Sequence, residues 1–182
     1  FNLQMFKSLT TSSGVRHNIV YGIEQETIDV TRPRYRTETN MLTQVVNSNI
    51  GGEIYPNKTF PDTETERSAF FINNRIDISD KTSIVIGARR DSYELSTSPD
   101  QLFVNVNPFG YNLVDQDESK TSFKAGFIRD INDSLSFYYQ YAEGFRSPDF
   151  YSSNLSFTNF AFRYTIIPNP DLGPEESEGS EF

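Results

Sequence analysis

The chain has 182 residues, enough for one domain, and its acidic side chains outnumber its basic ones by 25 to 16. That surplus argues against a nucleic-acid partner, which would require clustered lysine and arginine. The absence of cysteine excludes disulfides and thiolate metal sites, and the single histidine, His17, is not enough for a multi-histidine metal centre. No apolar run approaches the roughly 18 residues of a membrane helix.

Apolar and polar residues alternate with a period of two along much of the chain, whereas helical periodicity is poor. Between Arg67 and Ile78, for example, Phe70 and Ile72 share an apolar face on which Asn74 is the polar exception. The pattern predicts an all-β chain of about seven antiparallel, up-and-down strands. In chain order they cover residues 1–8, 17–30, 67–78, 84–91, 123–131, 135–143 and 175–182.

The predicted connections alternate in length. Short turns at 12–16, 79–81 and 132–134 alternate with long polar segments at 32–64, 97–119 and 144–173. Loops longer than about 15 residues are uncommon in compact domains, but outer-membrane barrels combine short turns on one side with long loops on the other. A soluble β-sandwich, as in a binding or adhesin module, is the alternative, since seven strands also suit that fold. Four tyrosines near strand ends fit interfacial girdles, although tyrosine is also a common strand former: Tyr21, Tyr93, Tyr139 and Tyr141.

Two loop motifs flank the last long segment. The first, Gly144-Phe145-Arg146-Ser147-Pro148, ends an aromatic strand. In it, glycine permits a change of backbone direction, and the arginine presents a planar fork of donors suited to carboxylates. The second, Asn169-Pro170-Asp171-Leu172-Gly173-Pro174-Glu175, has the composition of a stiff turn that leads back into a strand.

This pair of motifs resembles the boxes of TonB-dependent outer-membrane receptors of the haemoglobin, haem, transferrin and lactoferrin receptor group, above all the haem and haemoglobin receptors. There, a Phe-Arg-Ala-Pro box and an Asn-Pro-Asn-Leu box flank one extracellular loop. Tyr21-Gly22-Ile23-Glu24 and Gly87-Ala88-Arg89-Arg90-Asp91 extend the resemblance. It implies a 22-stranded transmembrane β-barrel in the outer membrane of a Gram-negative bacterium, built around an N-terminal plug. Residues 1–182 are then expected to be a single partial segment of the barrel, with no plug domain present.

The resemblance also implies a function, which is to capture an iron-bearing ligand, most directly haem or haemoglobin, for energy-coupled import. Its partners would be the ligand or its carrier protein, outer-membrane lipid, and TonB through the plug of the intact receptor. The haem or ferric chelate is transported cargo, and no intrinsic cofactor is expected. The residues expected to contact ligand are those of the two boxes and two tyrosines between them: Phe145, Arg146, Ser147, Pro148, Tyr151, Tyr164, Asn169, Pro170, Asp171 and Leu172.

The chain departs from the haem-receptor pattern because residues 149–168 contain no histidine. His17 follows a short turn, so a strand of roughly 30 Å separates it from the long loops. Tyr151 and Tyr164 are candidate phenolate ligands for iron, but ordinary loop aromatics are the favoured interpretation. A ferric siderophore receptor of the same fold therefore remains open. So does the role of Arg146, which either contacts ligand or pairs with a carboxylate of the receptor.

Other chemistry is poorly supported. Asp115-Gln116-Asp117-Glu118 is rich in oxygen ligands, but it lacks EF-hand spacing and is better interpreted as a solvated acidic loop tip. No metal site is predicted. No glycine-rich phosphate loop or nucleophile elbow is present, and a hydrolase would have to use His17, so the chain is not expected to be an enzyme.

Overall fold

A computed structural model describes all 182 residues and contains one large antiparallel sheet. Its seven strands are neighbours in the order β1-β2-β7-β8-β9-β10-β13, which confirms the predicted up-and-down arrangement. The strands are β1 (Asn2–Thr10), β2 (Arg16–Val30), β7 (Asp62–Ser79), β8 (Thr82–Ser98), β9 (Gln116–Asn132), β10 (Leu135–Arg146) and β13 (Glu175–Glu181). They are paired along most of their lengths, with β2 and β7 in register from Arg16–Asp77 to Val30–Thr63.

The predicted alternation of short and long connections is confirmed, with shifted boundaries. Short turns occupy residues 11–15, 80–81 and 133–134. At the opposite ends of the strands, here called the upper ends, lie the first connection (31–61), the second connection (99–115) and the third connection (147–174). The strands extend further into these segments than alternation alone indicated, because the added residues are mostly polar threonine, serine, aspartate and glutamate.

The long connections contain secondary structure of their own, which the sequence analysis did not predict. The first contains two small hairpins, the second a single helical turn, and the third a helical turn and a hairpin. These elements are β3 (Glu38–Thr39), β4 (Val46–Asn47), β5 (Asn49–Ile50), β6 (Glu53–Ile54), α1 (Gln101–Val104), α2 (Phe150–Asn154), β11 (Phe157–Asn159) and β12 (Tyr164–Ile166). Neither helix has the length and apolar character needed to cross a membrane.

The two faces of the sheet differ in chemistry. On the outer face, apolar side chains of the first six strands of the large sheet are about half exposed and form the apolar belt: Leu3, Met5, Ile23, Phe70, Ile72, Ile86, Phe123 and Phe137. The inner face carries charged and polar side chains in the matching rows. A sandwich would bury the apolar face under a second sheet, so the exposed belt shows that the sandwich alternative is wrong.

The main buried cluster lies under the connections rather than in the centre of the sheet. Phe60 of the first connection, Phe103 and Val106 of the second, and Leu95 at the upper end of β8 are almost fully buried. Tyr93 is also buried and points to the inner face beside Arg67, so its predicted place in an interfacial girdle is wrong. The apolar side chains of the connections thus fix the loops onto the extended upper ends of the strands.

His17 and Asn74 come together on the outer face near the short turns. Asn74 Nδ2 contacts His17 Nδ1 at 3.0 Å, which satisfies the amide nitrogen on an apolar face, whereas Asn74 Oδ1 is buried without a partner. His17 follows the turn at 11–15 and therefore lies at the end of β2 that is opposite to the long connections, as its position in the sequence indicated.

Candidate functional site

The upper part of the inner face forms a groove of about 710 Å³, here called the inner groove. It is lined by residues of β1, β2, β7 and β8 and by the end of β10 with the first residues of the third connection. On a flat sheet, β1 and β10 would lie about 24 Å apart at 4.8 Å per strand. Because both line the same groove, the sheet must curve around it.

Charged side chains on the wall of the inner groove are joined in a network. The Arg89 guanidinium donates to Glu24 at 2.7 Å and to Asp91 at 2.8 Å. Arg67 lies 3.8 Å from Glu26 and stacks over the Tyr93 ring at 5.5 Å from its centroid. The two short contacts fix Arg89 against the wall, 5.9 Å from the centroid of the Phe71 ring, whereas the Arg67–Glu26 pair is exposed and weak.

The first box reaches the rim of this groove. Phe145, Arg146 and Ser147 all line it, and the Tyr93 hydroxyl donates to the Pro148 carbonyl at 2.9 Å. Tyr93 lies above the apolar belt, and burial raises the pKa of its hydroxyl. The hydroxyl therefore stays protonated and can donate its hydrogen bond to the Pro148 carbonyl. The structure thus brings four of the predicted residues together at one edge of the groove.

Arg146 and Ser147 have spare hydrogen-bonding capacity. The Arg146 guanidinium approaches Glu175 at 3.7 Å, and both side chains are more than 70% exposed. Exposed pairs of this kind contribute little to stability, so the Arg146 pairing proposed from the sequence exists but is weak. Ser147 Oγ is buried and has no partner, which is unusual for a hydroxyl group.

The second box anchors the third connection as it returns to the sheet. The Asn169 N–H donates to the Ser153 carbonyl at 3.0 Å, and Asn169 Oδ1 accepts from the Asp171 N–H at 3.3 Å. The Leu172 carbonyl accepts from Gln116 Nε2 at 3.4 Å. Pro170 lies between these anchors. The contacts are those of a re-entry turn, and none of the four predicted residues lines the inner groove.

Tyr151 and Tyr164 lie elsewhere in the third connection. The Tyr151 ring packs on Phe60 with centroids 4.9 Å apart, and Tyr164 packs edge-on against Phe157 at 6.0 Å. Both side chains are about half exposed. Neither lines the inner groove with the first box, so the structure separates these tyrosines from the residues they were predicted to assist.

A buried network fixes the third connection. Asn154 bonds both to the N–H and to the carbonyl of Val114, at 2.9 and 3.0 Å. Ser153 Oγ accepts from Gln116 Nε2 at 2.9 Å. The Ser156 hydroxyl donates to Asn107 Oδ1, and Asn107 Nδ2 donates to the Ser156 carbonyl at 3.2 Å. Apart from Gln116 Oε1, which is buried without a partner, these polar side-chain groups are satisfied inside the protein, and the network favours a single arrangement of the loop.

One backbone hydrogen bond links each pair of long connections. The Lys58 N–H donates to Leu102 at 3.0 Å, joining the first and second connections. The Ser156 N–H donates to Thr59 at 3.0 Å, and the Thr158 N–H donates to Val106 at 2.9 Å. The three connections therefore form one continuous layer above the sheet.

A buried lysine fixes the base of this layer. The Lys58 side chain is 4% exposed, and its ammonium contacts Asp62 at 2.7 Å and Asp100 at 2.8 Å. Burial opposes ionisation of Asp100, but the Lys58 ammonium and the Phe103 N–H outweigh it and hold the pKa of that carboxyl below its usual value. Asp100 is also the N-cap of α1, so one carboxylate links the first connection to the start of the helix.

The acidic run at residues 115–118 is not a loop tip. Asp115 accepts from the N–H and the hydroxyl of Thr97 at 2.8 and 2.9 Å, Gln116 is buried, and β9 begins at this residue. The alternation of this strand start was hidden because both of its faces are polar. No three carboxylate or histidine side chains converge in a metal-binding cluster.

Sequence reasoning missed the wall of the inner groove. Glu24 and Arg89 belonged to the motifs that extended the family resemblance, but nothing within one strand shows which charges meet across the sheet. The pairing register between strands would have shown this arrangement. Glu24, Ala69 and Asp91 lie opposite one another on three neighbouring strands, and Arg89 lies two residues along β8 from Asp91 on the same face.

Comparisons with known proteins agree with this architecture. A family model described as "TonB dependent receptor-like, beta-barrel" matches residues 2–182. No curated protein matches the chain. A similar solved structure is a double mutant of the Serratia marcescens hemophore receptor HasR in complex with its hemophore HasA and heme. It has 19% identity and a TM-score of 0.66, and the match covers 97% of this chain and 27% of that chain.

The chain thus spans about a quarter of that receptor's length. The match over nearly all 182 residues accounts for the exposed apolar belt, which faces lipid in such a barrel, and for the alternation of short turns and long loops. The chain belongs to the TonB-dependent receptor family of non-enzymatic transporters in the outer membrane of Gram-negative bacteria, and it forms part of the β-barrel wall.

Proposed function

We propose that this segment contributes to the binding of an iron-bearing ligand, with haem as the first candidate, for energy-coupled import across the outer membrane. The observation that carries the proposal is the position of the first box, whose Phe145, Arg146 and Ser147 lie at the rim of the inner groove. In the intact receptor, a plug domain would couple release of the ligand to TonB.

The chemistry of the groove suits a flat apolar ligand with carboxylates. Arg146 is exposed and only weakly paired with Glu175, so a ligand carboxylate can replace that partner at small cost. Phe145 beside it offers aromatic surface at the rim, whereas the Tyr93 ring is buried under Arg67 and supports that arginine from below. Haem combines an apolar ring with two propionates, and these features match both parts of the rim.

A ferric siderophore is the second candidate, and one observation favours it. Tyr151 and Tyr164 do not line the groove, and the Tyr93 hydroxyl is engaged with the Pro148 carbonyl. These tyrosines therefore offer no free phenolate beside the box. A ferric chelate brings its own iron ligands and needs only contacts to its periphery.

Titration of the intact receptor with haemin, followed by visible absorption, distinguishes these candidates. Haem binding predicts a saturable Soret shift, with an affinity that falls about threefold to tenfold in Arg146→Gln. Arg90→Gln is the matched control, because Arg90 bonds to Ser119 and Thr121 on the outer face and should leave the affinity unchanged. Absence of a Soret shift rejects haem, and uptake of an ⁵⁵Fe-loaded siderophore then tests the second candidate.

A further inference from the structure

We propose that Glu143 is a positioning residue for the first box. Its carboxylate takes the place of a backbone hydrogen-bond acceptor between β9 and β10, and it thereby keeps the box at the rim of the inner groove. The inference rests on the proposed function, which gives the box its role in ligand binding. Glu143 itself directly precedes the box and does not line the inner groove.

The pairing of β9 with β10 stops below the box. Their ladder ends at the pair Lys124–Ala142, although β10 continues to Arg146 and β9 begins at Gln116. Beyond that pair, β10 is paired with β13 on its other side, and β9 is paired with β8 on its other side. The sheet is therefore open between the upper ends of β9 and β10, and this gap is here called the lateral opening.

The end of the ladder changes the direction in which the box points. Tyr141 belongs to the outer face, because its partner Ala125 is paired in turn with Ile86 of the apolar belt. Side chains alternate between the two faces along a strand, so a regular continuation of β10 would also place Phe145 on the outer face. Phe145 instead lines the inner groove. The departure of β10 from β9 thus accounts for the approach of the box to the groove.

The Glu143 carboxylate bonds to the strand that β10 leaves. Glu143 Oε2 accepts from the Phe123 N–H at 3.0 Å, and Glu143 Oε1 accepts from the Tyr141 hydroxyl at 2.9 Å. In a continued ladder, Phe123 would lie opposite Glu143 and its N–H would donate to the Glu143 carbonyl. The side chain therefore replaces the backbone acceptor. Because a charged acceptor forms the stronger hydrogen bond, this contact favours the open arrangement.

The lateral opening holds a cavity and is not a packed seam. The cavity has a volume of about 610 Å³. Its lining includes three residues of β9 and three of β10: Ser122, Phe123, Lys124, Glu143, Gly144 and Phe145. Lys120 of β9 forms an ion pair with Glu176 of β13 at this level, so a second side-chain contact spans the upper ends of these strands. Since space remains between the strands, β10 can approach β9 once the carboxylate is removed.

Hydrogen exchange of the intact receptor without ligand tests the positioning contact. Hydrogen-bonded pairs alternate along an antiparallel ladder, so closure after Glu143→Ala would next join Thr121 to Phe145. The amides of these two residues should then exchange at least about tenfold more slowly. Glu143→Gln keeps an oxygen for the Phe123 N–H and should leave both rates unchanged. Glu178→Ala is the matched control, because it removes the carboxylate opposite Glu143 on β13, on the side away from β9.

Titration with haemin measures the consequence for binding. Withdrawal of the box takes Arg146 from the rim, so Glu143→Ala should weaken haemin binding about threefold to tenfold, as expected for Arg146→Gln. Glu143→Gln and Glu178→Ala should stay within twofold of the unmodified receptor. Tyr141→Phe, which deprives the carboxylate of its second donor, should show a smaller change in the same direction as Glu143→Ala. It also keeps the test decisive if Glu143→Ala does not fold.

The two readouts separate failure of the inference from failure of the proposed function. Unchanged exchange at Thr121 and Phe145 in both Glu143→Ala and Tyr141→Phe would overturn the inference, as would a Glu143→Gln receptor that behaves like Glu143→Ala. Slower exchange at these amides without any loss of affinity would support the positioning contact and reject the role of the box in binding. An unmodified receptor that does not bind haemin rejects haem as the ligand, and the same variants are then compared with the ⁵⁵Fe-loaded siderophore.

Discussion

Replacement of Lys58 by methionine should loosen the whole layer of long connections. The ammonium is buried between Asp62 and Asp100, and methionine keeps the length of the side chain while removing its charge. The two carboxylates would then lose their shared partner at the point where the first connection meets the start of α1.

The expected cost follows from the exposure of the partners. Removal of one member of a fully buried ion pair costs about 3–5 kcal/mol. The Asp62 and Asp100 side chains are 33% and 39% exposed, so water replaces part of what the lysine supplied. We therefore expect a local destabilisation of about 2 kcal/mol, which corresponds to a roughly 30-fold increase in the population of the open layer.

Amide hydrogen exchange of the intact receptor measures this opening. The Lys58 and Ser156 N–H groups, which bond to the second and first connections, should exchange about 30 times faster in the variant. Amides in the paired centre of β7 and β8 should keep their rates, and Lys81→Met is the control at the opposite edge. Unchanged exchange at the two loop amides would refute the idea that the lysine holds the layer together.

Three further predictions concern the groove, the sheet and the layer of long connections. Tyr93→Phe removes one hydrogen bond to the box and should cost about 1 kcal/mol, visible as faster proteolysis of the third connection with unchanged melting of the barrel. Gly22→Ala places a Cβ against the Leu3 carbonyl oxygen, a backbone atom that cannot easily move, and should lower barrel stability by about 1–3 kcal/mol in a circular-dichroism melt. Gly87→Ala meets only the flexible side chains of Asn73 and Lys124 and should cost less. Because the pKa of Asp100 is lowered in the folded protein, its contribution to stability is complete above its unfolded pKa of about 4 and is lost as the pH falls through the folded pKa. The protection factors of the loop amides, which are corrected for the intrinsic exchange rate, should therefore fall below about pH 4, and Asp100→Asn should remove this contribution.

Alternation predicted the large sheet because one face of each strand meets lipid and the other meets polar surroundings. The prediction failed where that contrast disappears. At 116–119 and 62–66, both faces are polar, so the beginnings of β9 and β7 were assigned to loops. The two helical turns were also missed, although Asp100 and Asp149 follow proline directly and cap the turns, a usable signal for a helix start.

The site was harder to predict than the fold. The first box was placed at the end of its strand by local chemistry, and the structure brings it to the inner groove. The groove wall, however, depends on register between strands far apart in sequence, such as Glu24 with Arg89. The burial of Lys58 was equally invisible, because its two partners come from separate connections and only folding brings them together.

The backbone hydrogen bonds that join every pair of long connections have a consequence for engineering and for variation among relatives. If the first connection alone were replaced by a loop of another receptor, the Leu102 carbonyl would lose the Lys58 N–H as its donor. Replacement of the third connection alone would likewise remove the donors of the Thr59 and Val106 carbonyls. Successful chimeras should therefore exchange all three segments as a single cassette. In natural sequences, insertions should concentrate in the hairpin tips, where length can change without disturbing these cross-links.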